Sequence, residues 1–214
     1  MKQKRQYTIT AHTGTMGTPD NSLESISTGI KNGADIVEFD LNFDKDGIAV
    51  LSHNEPKGGE VLFEDALKFI VENDSEIKIN IDVKTTTDLK TVEELVKKYG
   101  LIDRAFFTGI SQKFIPAVKE QCKDIKYYLN YNKKPPLFGK KKFFAETAKT
   151  IKDCGAVGLN INFMCLNKAY VDYLHNEKLL VSAWTANTEN AMRKVIKMGV
   201  DNITTRHPDV LRKI

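Results

Sequence analysis

Strand-like and helix-like segments alternate eight times along this chain, and few folds accept that pattern. The first strand runs from Tyr7 to His12, rich in β-formers and closed by Thr13-Gly14. A loop with Gly17 and Pro19 leads to a helix capped by Asp20 or Asn21 that ends at Asn32-Gly33. Strand two covers Ala34 to Phe43. Asp46-Gly47 then turns the chain into a short apolar run, Ile48 to Leu51, which ends at His53. Helix Phe63–Asn73 precedes strand Lys78–Lys84, helix Thr91–Tyr99 precedes strand Arg104–Thr108, and helix Phe114–Lys123 precedes strand Ile125–Asn130. Helix Phe144–Asp153, strand Val157–Ile161, helix Lys168–Glu177 and strand Leu179–Thr185 continue the theme. Helix Glu189–Met198, strand Asn202–Thr205 and a short helix from Pro208 complete it. Connections of a few residues leave no linker. The pattern predicts an α/β protein: a closed TIM-type (β/α)8 barrel, one domain over residues 1–214, with an extra β-hairpin after strand two. A doubly wound open sheet is the competing topology.

The chain's 214 residues suffice for one sizeable core and are few for two ordinary domains. With 41% hydrophobic and 28% charged residues, it has the balance of a soluble globular protein. The formal net charge is only +4, and the 32 basic residues are interspersed with acids, which argues against a nucleic-acid partner. The densest basic run, Lys140 to Lys142 after Gly139, reads as the solvated start of a helix. Cys122, Cys154 and Cys165 cannot all pair and none has a CxxC spacing, so a reducing compartment is expected. No run approaches the ~18–20 apolar residues of a membrane span, and no apolar signal region follows the N-terminus. A cytoplasmic protein without a stable membrane anchor is the expectation; the oligomeric state is not legible.

Side chains alternate faces along a strand. In strand two Val37, Phe39 and Leu41 share one face and Glu38 and Asp40 the other; in strand three Ile79, Ile81 and Val83 oppose Asn80, Asp82 and Lys84. In a barrel the apolar sets meet the helices, and the polar sets face inward. Carboxylates converging from adjacent strands repel one another and are costly to bury unless paired or bound to a metal. A divalent cation removes that repulsion, and hard oxygen ligands suit magnesium, calcium or manganese. The competing reading is a Glu38–Lys84 ion pair, with Asp40 and Asp82 in a structural polar layer. His12 falls at the end of strand one and His53 at the end of the hairpin, both at the rim where barrel active sites form. Two imidazoles flanking a metal-bound phosphodiester can supply a base for the attacking oxygen and an acid for the leaving one. His175, within a helix, and His207, beside a proline, are read as structural.

These residues resemble the glycerophosphodiester phosphodiesterases, which open with Ala-His-Arg-Gly, then Pro-Glu-Asn-Thr, Gly-Ala-Asp, Glu-x-Asp, an Asp-Gly turn and His-Asp. This chain reads Ala11-His12-Thr13-Gly14, Pro19-Asp20-Asn21-Ser22, Gly33-Ala34-Asp35, Glu38-Phe39-Asp40, Asp46-Gly47 and His53-Asn54. The family's Asn-Ile-Glu-Ile-Lys strand is similar to Asn80-Ile81-Asp82-Val83-Lys84. Its Trp-Thr-x-Asn and its late Gly-Val-Asp-x-Ile-x-Thr-x-x-Pro segment resemble Trp184-Thr185-Ala186-Asn187 and Gly199 to Pro208. The resemblance implies a TIM barrel that hydrolyses small-molecule glycerophosphodiesters to an alcohol and glycerol 3-phosphate. It further implies that Glu38, Asp40 and Asp82 hold one divalent ion, that His12 and His53 are the acid–base pair, that Lys84 contacts a phosphate oxygen, and that Trp184 walls the pocket. A phosphate-binding barrel without turnover, and a related lyase that forms a cyclic phosphate, stay open beside it.

Three departures stand out. Thr13 occupies the place of an arginine that resembles a phosphate clamp, and a hydroxyl cannot replace a bidentate cation. Asp82 shortens a presumed ligand by one methylene, and Asn54 follows His53 where the family has aspartate. The segment Glu55 to Glu60 is also short, which predicts a more open pocket. Strand eight lies beside strand one in a closed barrel, so Arg206 can approach the rim after His12 and take over phosphate binding. The competing reading has Arg206 paired with Asp209 or Asp35 at the surface.

Overall fold

A computed structural model describes residues 5–74 and 76–214. In chain order the strands and helices are β1 (Thr8–Ala11), α1 (Leu23–Lys31), β2 (Ile36–Phe43), β3 (Ala49–Leu51), α2 (Phe63–Asn73), β4 (Lys78–Val83), α3 (Leu89–Lys98), β5 (Ala105–Thr108) and α4 (Ile115–Gln121). They continue with β6 (Lys126–Asn130), α5 (Lys140–Cys154), β7 (Gly158–Asn162), α6 (Lys168–Asn176), β8 (Leu180–Trp184), α7 (Glu189–Met198), β9 (Asn202–Thr205) and α8 (Pro208–Leu211). The sheet order β1-β9-β8-β7-β6-β5-β4-β2 closes through parallel pairing of β1 with β2, which makes a (β/α)8 barrel. The open-sheet alternative is excluded by that closure.

The hairpin has a geometric reason. β1 pairs with β2 only at Ile36 and Val37, while β2 runs on to Phe43. β3 pairs antiparallel with Leu41 to Phe43, satisfying the part of β2 that outruns its barrel neighbour. The hairpin thereby carries His53 over the rim.

Parity separates two interiors. Phe39, Ile79, Ile81, Phe107, Leu129 and Leu159 point toward the helices and are buried there; Phe39 meets Phe63 of α2 edge to face with ring centroids 6.1 Å apart. Gly29 lets α1 pack closely on β1 and β2, since a β-carbon there would lie 2.8 Å from that of Ala11. The inside of the barrel is largely polar and internally bonded. Asn202 accepts from Thr8 and Thr10 and donates to Ser182; Thr108 donates to Asn80, and Asn160 to Asn130. Such groups are tolerated because each finds a partner.

Local boundaries differ from the sequence reading in two instructive places. Ser22 caps α1 by accepting from the Ser25 N–H, so neither Asp20 nor Asn21 does. Asn21 instead adopts a left-handed backbone (φ 56°) and turns its amide to the barrel mouth. Helix α5 begins at Lys140, four residues before Phe144, so the three lysines lie inside its first turn. His175 hydrogen-bonds Asp201 at 2.8 Å, which also accepts the Val181 N–H, a fold-holding contact. His207 sits at the start of α8, and Cys122, Cys154 and Cys165 are free thiols. No described helix is long and apolar enough to cross a membrane.

Candidate active site

The C-terminal ends of the strands open into a cavity of about 650 Å³. His12, His53, Glu38, Asp40, Asp82, Lys84, Trp184 and Arg206 all line it, so the fold gathers into one place every site residue singled out in the sequence. Thr13, Asp20, Ser111, Lys113, Asn130 and Asn160 complete much of the wall.

Register sets the depth of each acid. Glu38 pairs with Asn80 and Asp40 with Asp82, so Glu38 lies one layer below the other two. Glu38 and Asp40 are only 5% and 3% exposed, and one carboxylate oxygen from each of Glu38, Asp40 and Asp82 falls within 4.8 Å of the others. Lys84, one residue beyond β4, donates to Asp40 and Asp82 at 2.7 Å each. The expected alternative of a Glu38–Lys84 pair is corrected: Lys84 stands at the level of Asp40 and Asp82, and Glu38 is deeper. Burial, then the Asp40 and Asp82 charges, push the Glu38 carboxyl well above the usual carboxylate range. Burial also pushes Asp40 upward, but Lys84 and the Asn21 amide outweigh it and hold Asp40 low. Burial works against the Lys84 ammonium, and the Asp82 and Asp40 charges overcome it, raising its pKa.

The acids are held by neighbours. The Thr13 N–H donates to Glu38 at 2.8 Å. Asn21 both donates to the Asp40 carboxylate and accepts the Asp40 N–H, each at 2.9 Å, while the Asn21 N–H is taken by the Thr13 hydroxyl. Thr13 is therefore committed to bracing Asn21. The Thr108 hydroxyl, which shares its one proton between Asn80 and Asp82, lies 3.2 Å from Asp82, and Gly109 (φ 77°) lets the chain pass beside it, since a β-carbon there would fall 2.5 Å from the Asp82 carboxylate. Three carboxylates facing one ammonium leave a buried excess of negative charge. A hard divalent ion fits that donor set in charge and in ligand chemistry.

Each histidine approaches one of the acids. His12 Nδ1 lies 2.7 Å from the Thr13 carbonyl, an acceptor only, so Nδ1 carries the proton and Nε2 keeps its lone pair. Burial, and next the Arg206 charge against the Thr13 carbonyl, lower the His12 pKa and keep the ring neutral. His53 is 65% exposed and puts Nδ1 3.3 Å from Asp40. Its hairpin is fastened by the Ser52 N–H to the Asp40 carbonyl.

Arg206 reaches the cavity from the end of β9. Its Nε lies 3.4 Å from His12 Nδ1, too long and toward a protonated nitrogen, so this is proximity of charge and not a hydrogen bond. Its terminal nitrogen donates to Asp20 at 2.9 Å. The surface pairing with Asp209 or Asp35 is thus corrected: Asp35 pairs with Arg5 at 2.8 Å and Asp209 with Lys213 at 3.6 Å. Ser111 Oγ and Trp184 Nε1, on residues that line the cavity, are buried and have no hydrogen-bond partner among the described residues. The sequence reading missed Asn21, which looked like a cap, Asn130, the last residue of β6, and Asn160, midway along β7. The available signal was an asparagine directly after Leu129 in β6 and one between Leu159 and Ile161 in β7.

The glycerophosphoryl diester phosphodiesterase family model matches residues 12–61 and 55–210. A glycerophosphodiester phosphodiesterase from Caldanaerobacter subterraneus subsp. tengcongensis is 25% identical over 234 residues, covering 95% of each chain. One from Bacillus subtilis is 21% identical over 248 residues, covering 95% of this chain and 85% of the relative. Among solved structures, an Oleispira antarctica phosphodiesterase in complex with the product sn-glycerol-3-phosphate superposes with a TM-score of 0.80 at 18% identity, covering 96% and 95% of the chains. The Thermotoga maritima glycerophosphodiester phosphodiesterase gives 0.75 at 21% identity and 99% coverage of both. The strand-end acids, the paired rim histidines and the near-complete family match agree, and the chain belongs to the glycerophosphoryl diester phosphodiesterase family of phosphoric diester hydrolases.

Proposed function

We propose that this chain hydrolyses a glycerophosphodiester to an alcohol and glycerol 3-phosphate, using a divalent ion and a two-histidine acid–base pair. The observation that carries the reading is the convergence on the Glu38–Asp40–Asp82 cluster, within one cavity, of His12, 3.9 Å from Glu38, and His53, 3.3 Å from Asp40. Glu38, Asp40 and Asp82 would hold a magnesium or calcium ion, manganese being a further option, which when bound supplies Lewis-acid polarisation of the phosphoryl group. His12 presents the unprotonated Nε2 and takes the proton from the attacking oxygen. His53 stands at the exposed side of the cavity and gives a proton to the departing alkoxide. Lys84 stabilises phosphoryl oxygen charge, and Trp184 offers the substrate an apolar wall.

Phosphorus NMR of glycerophosphoethanolamine incubated with the chain and magnesium or calcium tests the reading. The expected result is a phosphomonoester signal of glycerol 3-phosphate that a chelator abolishes. A cyclic phosphate in its place would assign lyase chemistry, and an unchanged diester would leave a binding barrel.

Arg206 takes the clamp's part in this reading. Thr13 faces Asn21 and offers the phosphate no charge, whereas the Arg206 guanidinium stands beside His12 and pairs with Asp20. Arg206→Ala is expected to lower kcat/KM at least about tenfold, roughly 1.4 kcal/mol of transition-state stabilisation, with Arg206→Lys recovering only part. Unchanged efficiency in Arg206→Ala would leave phosphate binding to Lys84 and the ion.

A further inference from the structure

The loop between β6 and α5 breaks three ordinary rules at once. Its apex, Leu137-Phe138, is 85% and 89% exposed, although these are bulky apolar side chains adjacent in sequence. Single exposed apolar residues are common; two adjacent bulky ones at a loop apex present a continuous apolar surface to solvent. Residues 131–145 hold five lysines and no acid. Among the described residues, only Lys142 has a carboxylate within 4.0 Å, the exposed Glu146 at 3.8 Å. Finally, Lys140 to Lys142 fill the first turn of α5, where the positive end of the helix dipole disfavours cations and no side chain caps the backbone.

The segment is not a loose tail. Pro135 and Pro136 restrict the backbone just before the apex, and Phe144 stacks on Tyr170 at 4.7 Å to pin α5 just after it. Its first residues belong to the cavity mouth, since Asn130 and Asn132 line the pocket. The end of β7, hydrogen-bonded to it through the Asn162 N–H and Asn132, leads into a loop that carries Met164 at 67% exposure.

We infer that the β6–α5 loop is an interfacial docking element, with Leu137 and Phe138 entering the headgroup region of an anionic bilayer and the flanking lysines binding lipid phosphates. An anionic surface removes all three anomalies together: it takes up the apolar apex, neutralises the lysines and relieves the first turn of α5. A nucleic-acid backbone would satisfy the lysines but leave Leu137 and Phe138 in water. Docking in this orientation turns the cavity mouth toward the lipid headgroups. The link to lipid-derived diesters rests on the proposed phosphodiesterase function, whereas the docking itself does not.

Co-sedimentation of the full chain with phosphatidylcholine vesicles, with and without about 30 mol% phosphatidylglycerol, tests this without any turnover. Binding is expected only to the anionic vesicles, and it should weaken with salt. Leu137→Ser/Phe138→Ser should bind at least about tenfold more weakly. Lys140→Gln/Lys141→Gln/Lys142→Gln should lose about a hundredfold, at about fivefold per lysine. Both variants should keep the parental melting temperature and the parental rate on a soluble glycerophosphodiester. Phe138→Trp should show a blue-shifted indole emission on vesicle addition, relative to a parent whose Trp184 lies in the cavity. The inference is overturned by absent binding, by equal binding to neutral vesicles, by a serine double variant that binds normally, or by an apex that proves to be covered in a dimer of this chain. Duplex DNA retained where vesicles are not would likewise overturn it. Vesicle binding by a chain with no hydrolytic activity would refute the proposed function and leave the docking intact.

Discussion

Replacing either His12 or His53 with alanine is expected to slow turnover by about 10²–10⁴-fold, with the double variant losing much less than the product of the two. The sub-additivity follows from one concerted proton inventory: once the base is gone, the acid has no developing charge to answer. The roles can be separated through the leaving group. A diester of p-nitrophenol releases a weakly basic phenolate that needs little protonation. The deficit of His53→Ala should therefore shrink on that substrate, and the deficit of His12→Ala should persist. The assignment follows from the rings' surroundings. His12 has its Nδ1 proton committed to the Thr13 carbonyl, which leaves Nε2 as the free acceptor, and burial and the Arg206 charge outweigh the pull of that carbonyl to keep the ring neutral. His53 is exposed beside Asp40. Near-parental turnover in His53→Ala at unchanged melting temperature would reduce His53 to a rim residue.

The parts of this site that were legible in the sequence are the ones set by local geometry. A strand's two-residue period fixes that Glu38 and Asp40 share a face, and that Asn80, Asp82 and Lys84 share another, whatever the surroundings. The eight-fold alternation then fixes that those faces turn inward and that strand ends share a rim. Partner choice depends on depth along the barrel and was not legible. Whether Lys84 meets Glu38 or Asp40 is decided by the β2–β4 register, which puts Asp40 opposite Asp82 and Glu38 a layer deeper. Asn21 shows the same limit. As an isolated residue before a helix it looks like a cap, and only the approach of β2 turns its amide onto Asp40. Arg206 was placed correctly at the rim by strand adjacency, but its partner, Asp20, lies on a loop whose path no periodicity encodes.

Removing one carboxylate from the cluster should abolish ion binding without unfolding the barrel. Asp40→Ala is expected to weaken magnesium and calcium binding by at least about a hundredfold in calorimetry, because a hard ion loses a charged oxygen donor. Glu38→Gln separates a ligand from a structural acid. Burial and two neighbouring carboxylates already disfavour the Glu38 charge, so a neutral amide of the same shape removes repulsion and can still accept the Thr13 N–H. The ion-free variant should therefore be at least as stable as the ion-free parent. The parent should gain about 2.7 kcal/mol at an ion concentration a hundred times its Kd, a rise of roughly 5–10 °C in Tm for a chain of this size. Glu38→Gln should gain little of it. If Glu38 served only a buried polar layer, the ranking would reverse: the variant would melt below the ion-free parent, and added ion would shift neither. Ion affinity unchanged in Asp40→Ala would remove Asp40 from the site, and with it the reason for three acids to converge above the barrel core.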